Sequence, residues 1–316
     1  MPKVKQRSLD PQQREQLIRE LEAIGRAHWE KHWKDIMALP NELLLEDREG
    51  VVRYLLLRVL LNQQGDTGRV RELARELFAT FQGELLYAPS QVEQRFAQVL
   101  SVFKRVGGPR GSEIYRIGAL GGIKPLSLFL YRFAAFSIFV RSVSSLHDLV
   151  RSELSSGVGK LLEFFRTDPI LDGGWVGNDP KAARMLTNWL AWLFEHVWQE
   201  LRVDLSATLM IVDGHVGKVF CRTGALDTVR YEQRRPYIIS AKEMRGDIEL
   251  LVTATPGAVP MWVDEGAFQV AMGYCTDLNP NCPSCPIKTL CLAGPGRQDR
   301  TKYLQWTAYQ RYPGNP

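Results

Sequence analysis

The chain has 316 residues, of which 45% are apolar and 24% are charged, a composition that is ordinary for water-soluble globular proteins. Its net charge of +5 is too small to establish nucleic-acid binding, but it has the sign that a polyanion selects. Residues 1–15 lack an apolar signal segment, and Arg132 interrupts the most apolar stretch, residues 126–140. We therefore expect a cytoplasmic, nucleoid-associated protein with no membrane partner.

Helical periodicity dominates the chain, and alternating runs of β-branched residues are almost absent. The predicted helices, in chain order, are residues 11–37, 48–61, 67–82, 89–106, 126–139, 145–167, 180–202, 214–223 and 241–253. Ser90, Asp213 and Ser240 stand at predicted helix starts, where their side-chain oxygens can accept backbone hydrogen bonds. Residues 107–122 and 171–180 are rich in Gly and Pro and separate helices. This pattern predicts an all-α fold.

An apolar dipeptide, a carboxylate and an amphipathic helix follow one another at residues 211–223. From Val212 onward the segment reads V-D-x-H-V-x-x-V-x-x-R-T. Asp213 can cap the helix, and Val216, Val219 and Phe220 are spaced to face a core. Because an aspartate in this position is usually only a cap, the segment alone indicates little about function.

Four cysteines near residue 280 have metal-ligand spacing. Cys275, Cys282, Cys285 and Cys291 form C-x6-C-x2-C-x5-C, and four thiolates so close in sequence can surround one inorganic centre. Disulfides fit poorly, because they are typical of small secreted scaffolds. Zinc stays open, although zinc sites usually present two short C-x2-4-C pairs and this segment has one. We expect the fifth cysteine, Cys221, to be a buried core residue.

The two motifs, in this order, resemble the endonuclease III and MutY DNA glycosylases of the helix-hairpin-helix superfamily. The resemblance covers roughly residues 48–292 and is firm in the two motifs. It implies a two-lobed all-α fold with a central helical barrel domain, residues 45–203, and an iron–sulfur cluster domain, residues 1–44 with 204–316. It also implies that the four cysteines hold a [4Fe-4S] cluster and that Asp213 is the essential catalytic carboxylate.

The family's hairpin, L-P-G-x-G-x-K-T-A, holds a DNA phosphate through backbone N–H groups and supplies a nucleophilic lysine. Its counterpart here is residues 171–183, with Lys181 as the nucleophile. The phosphate-binding residues implied by this match are Gly173, Gly174, Gly177 and Asn178. The turn is longer than the family pattern, and Pro180 removes one N–H donor. We expect Lys181 to be buried beside apolar groups such as Trp175, so that its amine can be neutral.

Lys160 is a rival for the hairpin lysine, because residues 155–160 read S-S-G-V-G-K and superficially look closer to the family pattern. We favour Lys181, since a hairpin at Lys160 would leave the Gly173-Gly174 break without a role. Lys181 precedes Asp213 by thirty-two residues, an interval similar to that of the archaeal 8-oxoguanine glycosylases. Those enzymes as a class lack the cluster, so the chain combines features of two branches.

Residues 60–64, L-L-N-Q-Q, resemble the family segment whose glutamine fills the gap left by an extruded base, which would be Gln64 here. A polar helix end explains the same residues equally well. The resemblance implies a bifunctional glycosylase and lyase that removes an oxidised base, 8-oxoguanine or an oxidised pyrimidine, from double-stranded DNA, acting as a monomer. The alternatives are a monofunctional glycosylase and a non-catalytic iron–sulfur protein that binds damaged DNA.

Overall fold

The computed structural model describes residues 8–62, 65–115, 122–172, 181–226, 241–276 and 280–292. Within these ranges the chain forms helices and loops without a β-strand, and Gly65 and Tyr115 form an isolated antiparallel bridge. The predicted all-α class is thereby confirmed. The chain divides into two compact units: unit 1 comprises Met1–Trp33 and Leu205–Pro316, and unit 2 comprises Lys34–Asp204.

The described residues form fourteen α-helices. In chain order they are α1 (Pro11–Met37), α2 (Arg48–Leu61), α3 (Thr67–Phe81), α4 (Gly83–Tyr87), α5 (Pro89–Gln94), α6 (Phe96–Gly107), α7 (Pro125–Ser142), α8 (Leu146–Ser155), α9 (Val158–Thr167), α10 (Pro169–Asp172), α11 (Lys181–Trp192), α12 (Gly214–Thr223), α13 (Ala241–Thr253) and α14 (Pro260–Gly273). A π-helical turn, Leu193–Val197, continues α11, and 3-10 turns lie at Leu205–Ala207 and Cys282–Ser284.

Unit 2 is built around α2, which is buried on all sides and packs against α3, α4, α7, α8 and α11. Such a helix carries no polar face, as expected of an element at the centre of a core. The helix buries two arginines, Arg53 and Arg58. Arg58 lies 4.3 Å from the centre of the Trp189 ring and donates a 3.1 Å hydrogen bond to the Ile36 carbonyl. Burial lowers the pKa of the Arg58 guanidinium, while the ring and the carbonyl stabilise its charge.

Unit 1 contains α12, α13, α14 and the greater part of α1. Its core includes Phe220 of α12, Val263 of α14 and Ile287 of the cysteine segment. Where α1 crosses α14, Gly25 and Gly266 face each other, and a Cβ on either glycine would collide with the backbone of the other helix. Helices α1 and α14 therefore lie so close together at this crossing that only glycine fits at both positions.

Several predicted helix bounds differ from the structure for local reasons. The predicted helix 89–106 breaks at Arg95, and α5 begins with Pro89 in the first helical position, so the prediction of Ser90 as its cap was wrong. The predicted helix 145–167 breaks at Gly157, whose φ of 123° no helix accommodates. Helix α14 was not predicted, because its residues Pro260–Gly273 are buried on most sides and show no one-sided apolar stripe. The bounds predicted for α2, α12 and α13 are confirmed, and Ser240 lies outside the described residues.

Candidate functional site

The carboxylate predicted to be catalytic lies at the start of α12. Asp213 has an extended backbone, with φ −106° and ψ −172°. Its Oδ1 accepts hydrogen bonds from the backbone N–H groups of His215 (2.8 Å) and Val216 (3.0 Å), which confirms the predicted cap. Asp213 is half-buried, so the positive end of the helix dipole fixes its orientation while solvent still reaches it.

The far end of α12 lies against the cysteine segment. The predicted inner face is confirmed, because Val216, Val219 and Phe220 are all buried. The helix ends at Gly224, whose φ of 80° is left-handed. Because Gly224 has no side chain, there is room for the Leu292 side chain beside it. The Leu292 N–H donates to the Thr223 carbonyl at 3.1 Å, so the chain after the last cysteine returns to the end of α12.

All four candidate cysteine ligands line one cavity, hereafter the thiol cavity, which is partly open to solvent. Its walls come from the end of α12, the end of α14 and the cysteine segment. The lining residues are Val219, Arg222, Thr223, Val270, Tyr274, Cys275, Cys282, Cys285, Ile287, Lys288 and Cys291. The sequence spacing therefore corresponds to a shared space in three dimensions.

Arg222 joins α12 to this cavity. Its Nη1 donates to the Cys275 carbonyl (2.7 Å), to the Cys275 Sγ (3.2 Å) and to the Thr276 carbonyl (3.3 Å). The Cys291 Sγ in turn donates to the Arg222 carbonyl at 3.7 Å. This arrangement places a buried guanidinium donor on the sulfur of one candidate metal ligand.

The thiols also influence one another. Burial raises the pKa of the Cys285 thiol, a backbone hydrogen bond at Ile287 opposes this, and Cys275 and Cys282 raise it further. Four thiolates in this space would therefore repel one another unless cations lay between them. Within the described ranges no group of three His, Cys, Asp or Glu side chains is arranged to hold a single metal ion. Four thiols are a donor set of the kind that holds either a zinc ion or an iron–sulfur cluster.

The fifth cysteine has a different environment. Cys221 is buried, its Sγ lies 3.7 Å from the Met244 Sδ, and burial raises the pKa of its thiol to about 12. A thiol of this kind stays protonated at neutral pH and packs as a small apolar group. The prediction of a core role for Cys221 is confirmed.

The two rival lysines both lie in the first turn of a helix in unit 2. Lys160 is exposed and pairs with Glu163 at 2.8 Å, and this hydrogen bond raises the pKa of the lysine, opposite to the direction that a nucleophile needs. Lys181 is the first residue of α11 and is also exposed. The expected burial of Lys181 is therefore wrong, because the side chain extends from a helix start that solvent reaches.

The remaining predicted DNA-binding residues lie outside the described residues. They are Gln64, Gly173, Gly174, Gly177 and Asn178. The structure does describe the helix end before Gln64, where the Tyr115 hydroxyl donates to the Leu61 carbonyl at 3.0 Å. It also describes α10 and α11, the helices on either side of residues 173–180.

Sequence reasoning missed two groups in unit 1. Arg222 is a letter of the motif at residues 212–223, but its contact with Cys275 joins residues too distant in sequence for a pattern to show. Asp264 lies on α14, which was not predicted, and its Oδ2 accepts the Ile211 N–H at 3.0 Å. No local signal in the sequence marked either contact.

Comparisons with known proteins add no further constraint on the site. Neither the scan against protein-family models nor the search of curated proteins found a match to the chain.

Among the described helices, none alone has the length and apolarity to cross a membrane. Only α7 and α8 taken together, across an 83° bend, satisfy that criterion of length and composition.

Proposed function

We propose that this protein is a base-excision DNA glycosylase of the helix-hairpin-helix kind, with a [4Fe-4S] cluster in the thiol cavity. The observation that carries the proposal is α12, which begins at the capped Asp213 and ends at Arg222 and Thr223 in the cavity wall. The first motif is thus α12 with its cap, and the far end of this helix contacts the second motif, the cysteine segment. The proposed reaction is the one that the family resemblance implies, and α12 connects Asp213 with the wall of the thiol cavity.

The cluster has a structural role in this proposal. Cys275, Cys282, Cys285 and Cys291 would hold it, and iron–thiolate bonds would tie the cysteine segment to the end of α12. The ten residues of α12 extend about 15 Å at the usual rise per residue. A group in the thiol cavity is therefore too far from Asp213 to touch a sugar bound there.

Asp213 would stabilise the reaction's positive charge. Cleavage of a glycosidic bond in an extruded nucleotide places positive charge on the sugar. A carboxylate fixed by two backbone N–H groups faces that charge without needing to reorganise. It can also accept the proton of the incoming nucleophile.

Lys181 would be the nucleophile. Its neutral amine attacks the sugar C1′ as the base leaves, the resulting Schiff base loses a C2′ proton, and β-elimination breaks the strand on the 3′ side. Gly173, Gly174, Gly177 and Asn178 are proposed to hold the neighbouring phosphate, and Gln64 to fill the space left by the base. Lys160 instead pairs with Glu163 at the exposed start of α9, and Lys181 is preferred because a hairpin at Lys160 would leave the Gly173-Gly174 break without a role.

The exposure of Lys181 favours one second candidate, a monofunctional glycosylase in which Asp213 activates water. Both candidates act on double-stranded DNA that contains an oxidised base. We propose 8-oxoguanine as the first substrate to try, because of the thirty-two-residue interval between Lys181 and Asp213. The protein would act as a monomer in the cytoplasm, at the nucleoid.

The test is base release and borohydride trapping on duplexes that each carry one oxidised base. Asp213→Asn should abolish base release, since the stabilising charge is lost. Lys181→Gln should abolish the trapped protein–DNA adduct while DNA binding survives, and Lys160→Gln should leave trapping intact.

Base release without trapping by the wild type would select the monofunctional candidate. Trapping that depends on Lys160 and not on Lys181 would show that the wrong hairpin was chosen. If no lesion is released, the enzymatic proposal fails and a DNA-binding protein remains.

A further inference from the structure

Helix α14 holds the segment that leads into Asp213. The Asp264 Oδ2 accepts the Ile211 N–H at 3.0 Å, two residues before the carboxylate. One turn earlier on α14, the Met261 N–H donates to the Thr208 Oγ1 at 3.2 Å. Two hydrogen bonds to one helix therefore fix the path of residues 208–211.

The same helix also meets the residues that follow Asp213. The His215 ring contacts the Phe268 ring edge-on, with 5.6 Å between the ring centres, and α12 packs along α14. Asp264 and Phe268 are one helical turn apart on α14. Asp213 is thus flanked in sequence, on both sides, by residues that α14 holds.

The Asp264 carboxylate is buried, and it accepts a backbone hydrogen bond. Its residue is only 9% exposed, and burial of a carboxylate is costly unless hydrogen bonds compensate for the lost water. A carboxylate that accepts a backbone N–H forms a charge-assisted bond, stronger and more directional than a neutral one. Such a bond suits a chain segment whose position must be fixed.

We propose that Asp264 is a positioning residue for catalysis: its carboxylate holds the Ile211 N–H and thereby sets where α14 places Asp213. This inference rests on the proposed glycosylase function. A carboxylate that opposes charge in a transition state must be placed to within a fraction of an ångström, and a shift of about 1 Å can cost roughly a hundredfold in rate. Asp264 acts through Asp213 and does not touch the sugar.

Three variants of Asp264 and one control separate this role from general stability. Asp264→Asn keeps an acceptor oxygen for Ile211, while Asp264→Leu and the smaller Asp264→Ala remove it. The control is Glu265→Gln, because Glu265 is also 9% exposed on α14 but bonds to Gln269 (2.7 Å) and to His28 (2.9 Å). It removes a buried carboxylate from the same helix without touching the segment before Asp213.

The measurements are single-turnover base release, DNA affinity, and amide hydrogen exchange of residues 208–213 in the cluster-loaded protein. Asp264→Leu should lower the rate about tenfold to a hundredfold at unchanged DNA affinity, with faster exchange at Ile211. Asp264→Asn should restore both toward the wild type, and Glu265→Gln should change neither. If Asp264→Leu does not fold, Asp264→Ala carries the same expectation.

Two results would overturn the positioning role. One is unchanged exchange at Ile211 when the acceptor is removed, and the other is faster exchange with base release within about twofold of the active wild type. Wild-type protein that releases no base refutes the proposed glycosylase itself, and the positioning role then falls with it. An active wild type with an unimpaired Asp264→Leu variant refutes the positioning role alone.

Discussion

Replacing Gly266 by alanine should destabilise unit 1 by forcing α1 and α14 apart. A Cβ at Gly266 would lie 2.7 Å from the Leu21 carbonyl carbon, closer still to its oxygen, and 3.0 Å from the Gly25 nitrogen. All three atoms belong to the backbone of α1, so no side-chain rotation can relieve the overlap. The helices must instead separate by roughly 1 Å to restore ordinary contact.

The size of the effect follows from this geometry. Overpacking in a core lowers the free energy of unfolding by about 1–3 kcal/mol when the neighbouring side chains can adjust. Because the atoms opposite Gly266 belong to rigid backbone, we expect Gly266→Ala to lower it by about 3 kcal/mol or more. The better helix propensity of alanine recovers up to about 1 kcal/mol. A net loss of about 2 kcal/mol or more should lower the melting temperature by roughly 4–8 °C or more.

Thermal unfolding of the cluster-loaded protein, followed by circular dichroism, measures this change. The matched control is Gly246→Ala on α13, where a Cβ would meet nothing within 4 Å. That variant should be neutral or more stable by up to about 1 kcal/mol, because alanine is the better helix former. A Gly266→Ala protein that melts at or above the wild-type temperature would refute the close approach of α1 and α14.

Two further predictions concern the thiol cavity. Anaerobically purified wild type should be brown and contain iron, and Cys282→Ser should lose the colour and loosen the cysteine segment; zinc in place of iron by metal analysis would contradict this. Arg222→Met should shorten the lifetime of the visible absorbance in air, because the N–H bond to the Cys275 sulfur (3.2 Å) is lost. An unchanged lifetime would show that Arg222 only packs there.

The sequence predicted those features that a short segment determines by itself. The Asp213 cap and the buried face of α12 follow from residue types at fixed offsets, and so do its bounds. The spacing of the cysteines likewise pointed to a shared centre, and the structure places all four on one cavity. In each instance the responsible residues are near neighbours in sequence.

Features that depend on tertiary packing were not predictable in this way. Helix α14 is buried on most sides, so its apolar residues do not follow the one-sided pattern of an amphipathic helix. The contact between Asp264 and the Ile211 N–H was therefore not predicted either. The burial expected of Lys181 was an assumption about its neighbours, and the structure shows the residue exposed. Contacts such as Arg222 with Cys275 span fifty-three residues and leave no trace in local composition.

The composition of unit 1 has a consequence for the order in which the protein is made. Leu9 donates its N–H to the Gly224 carbonyl at 2.9 Å, and Gly25 packs on Gly266, so segments far apart in sequence complete one core. During synthesis the apolar face of α1 is translated long before its partners, whereas Lys34–Asp204 is already contiguous. Unit 1 can therefore close only after the ribosome has delivered α12 and α14. Until then the face of α1 that includes Leu17 and Leu21 lacks the partners that bury it in the folded protein.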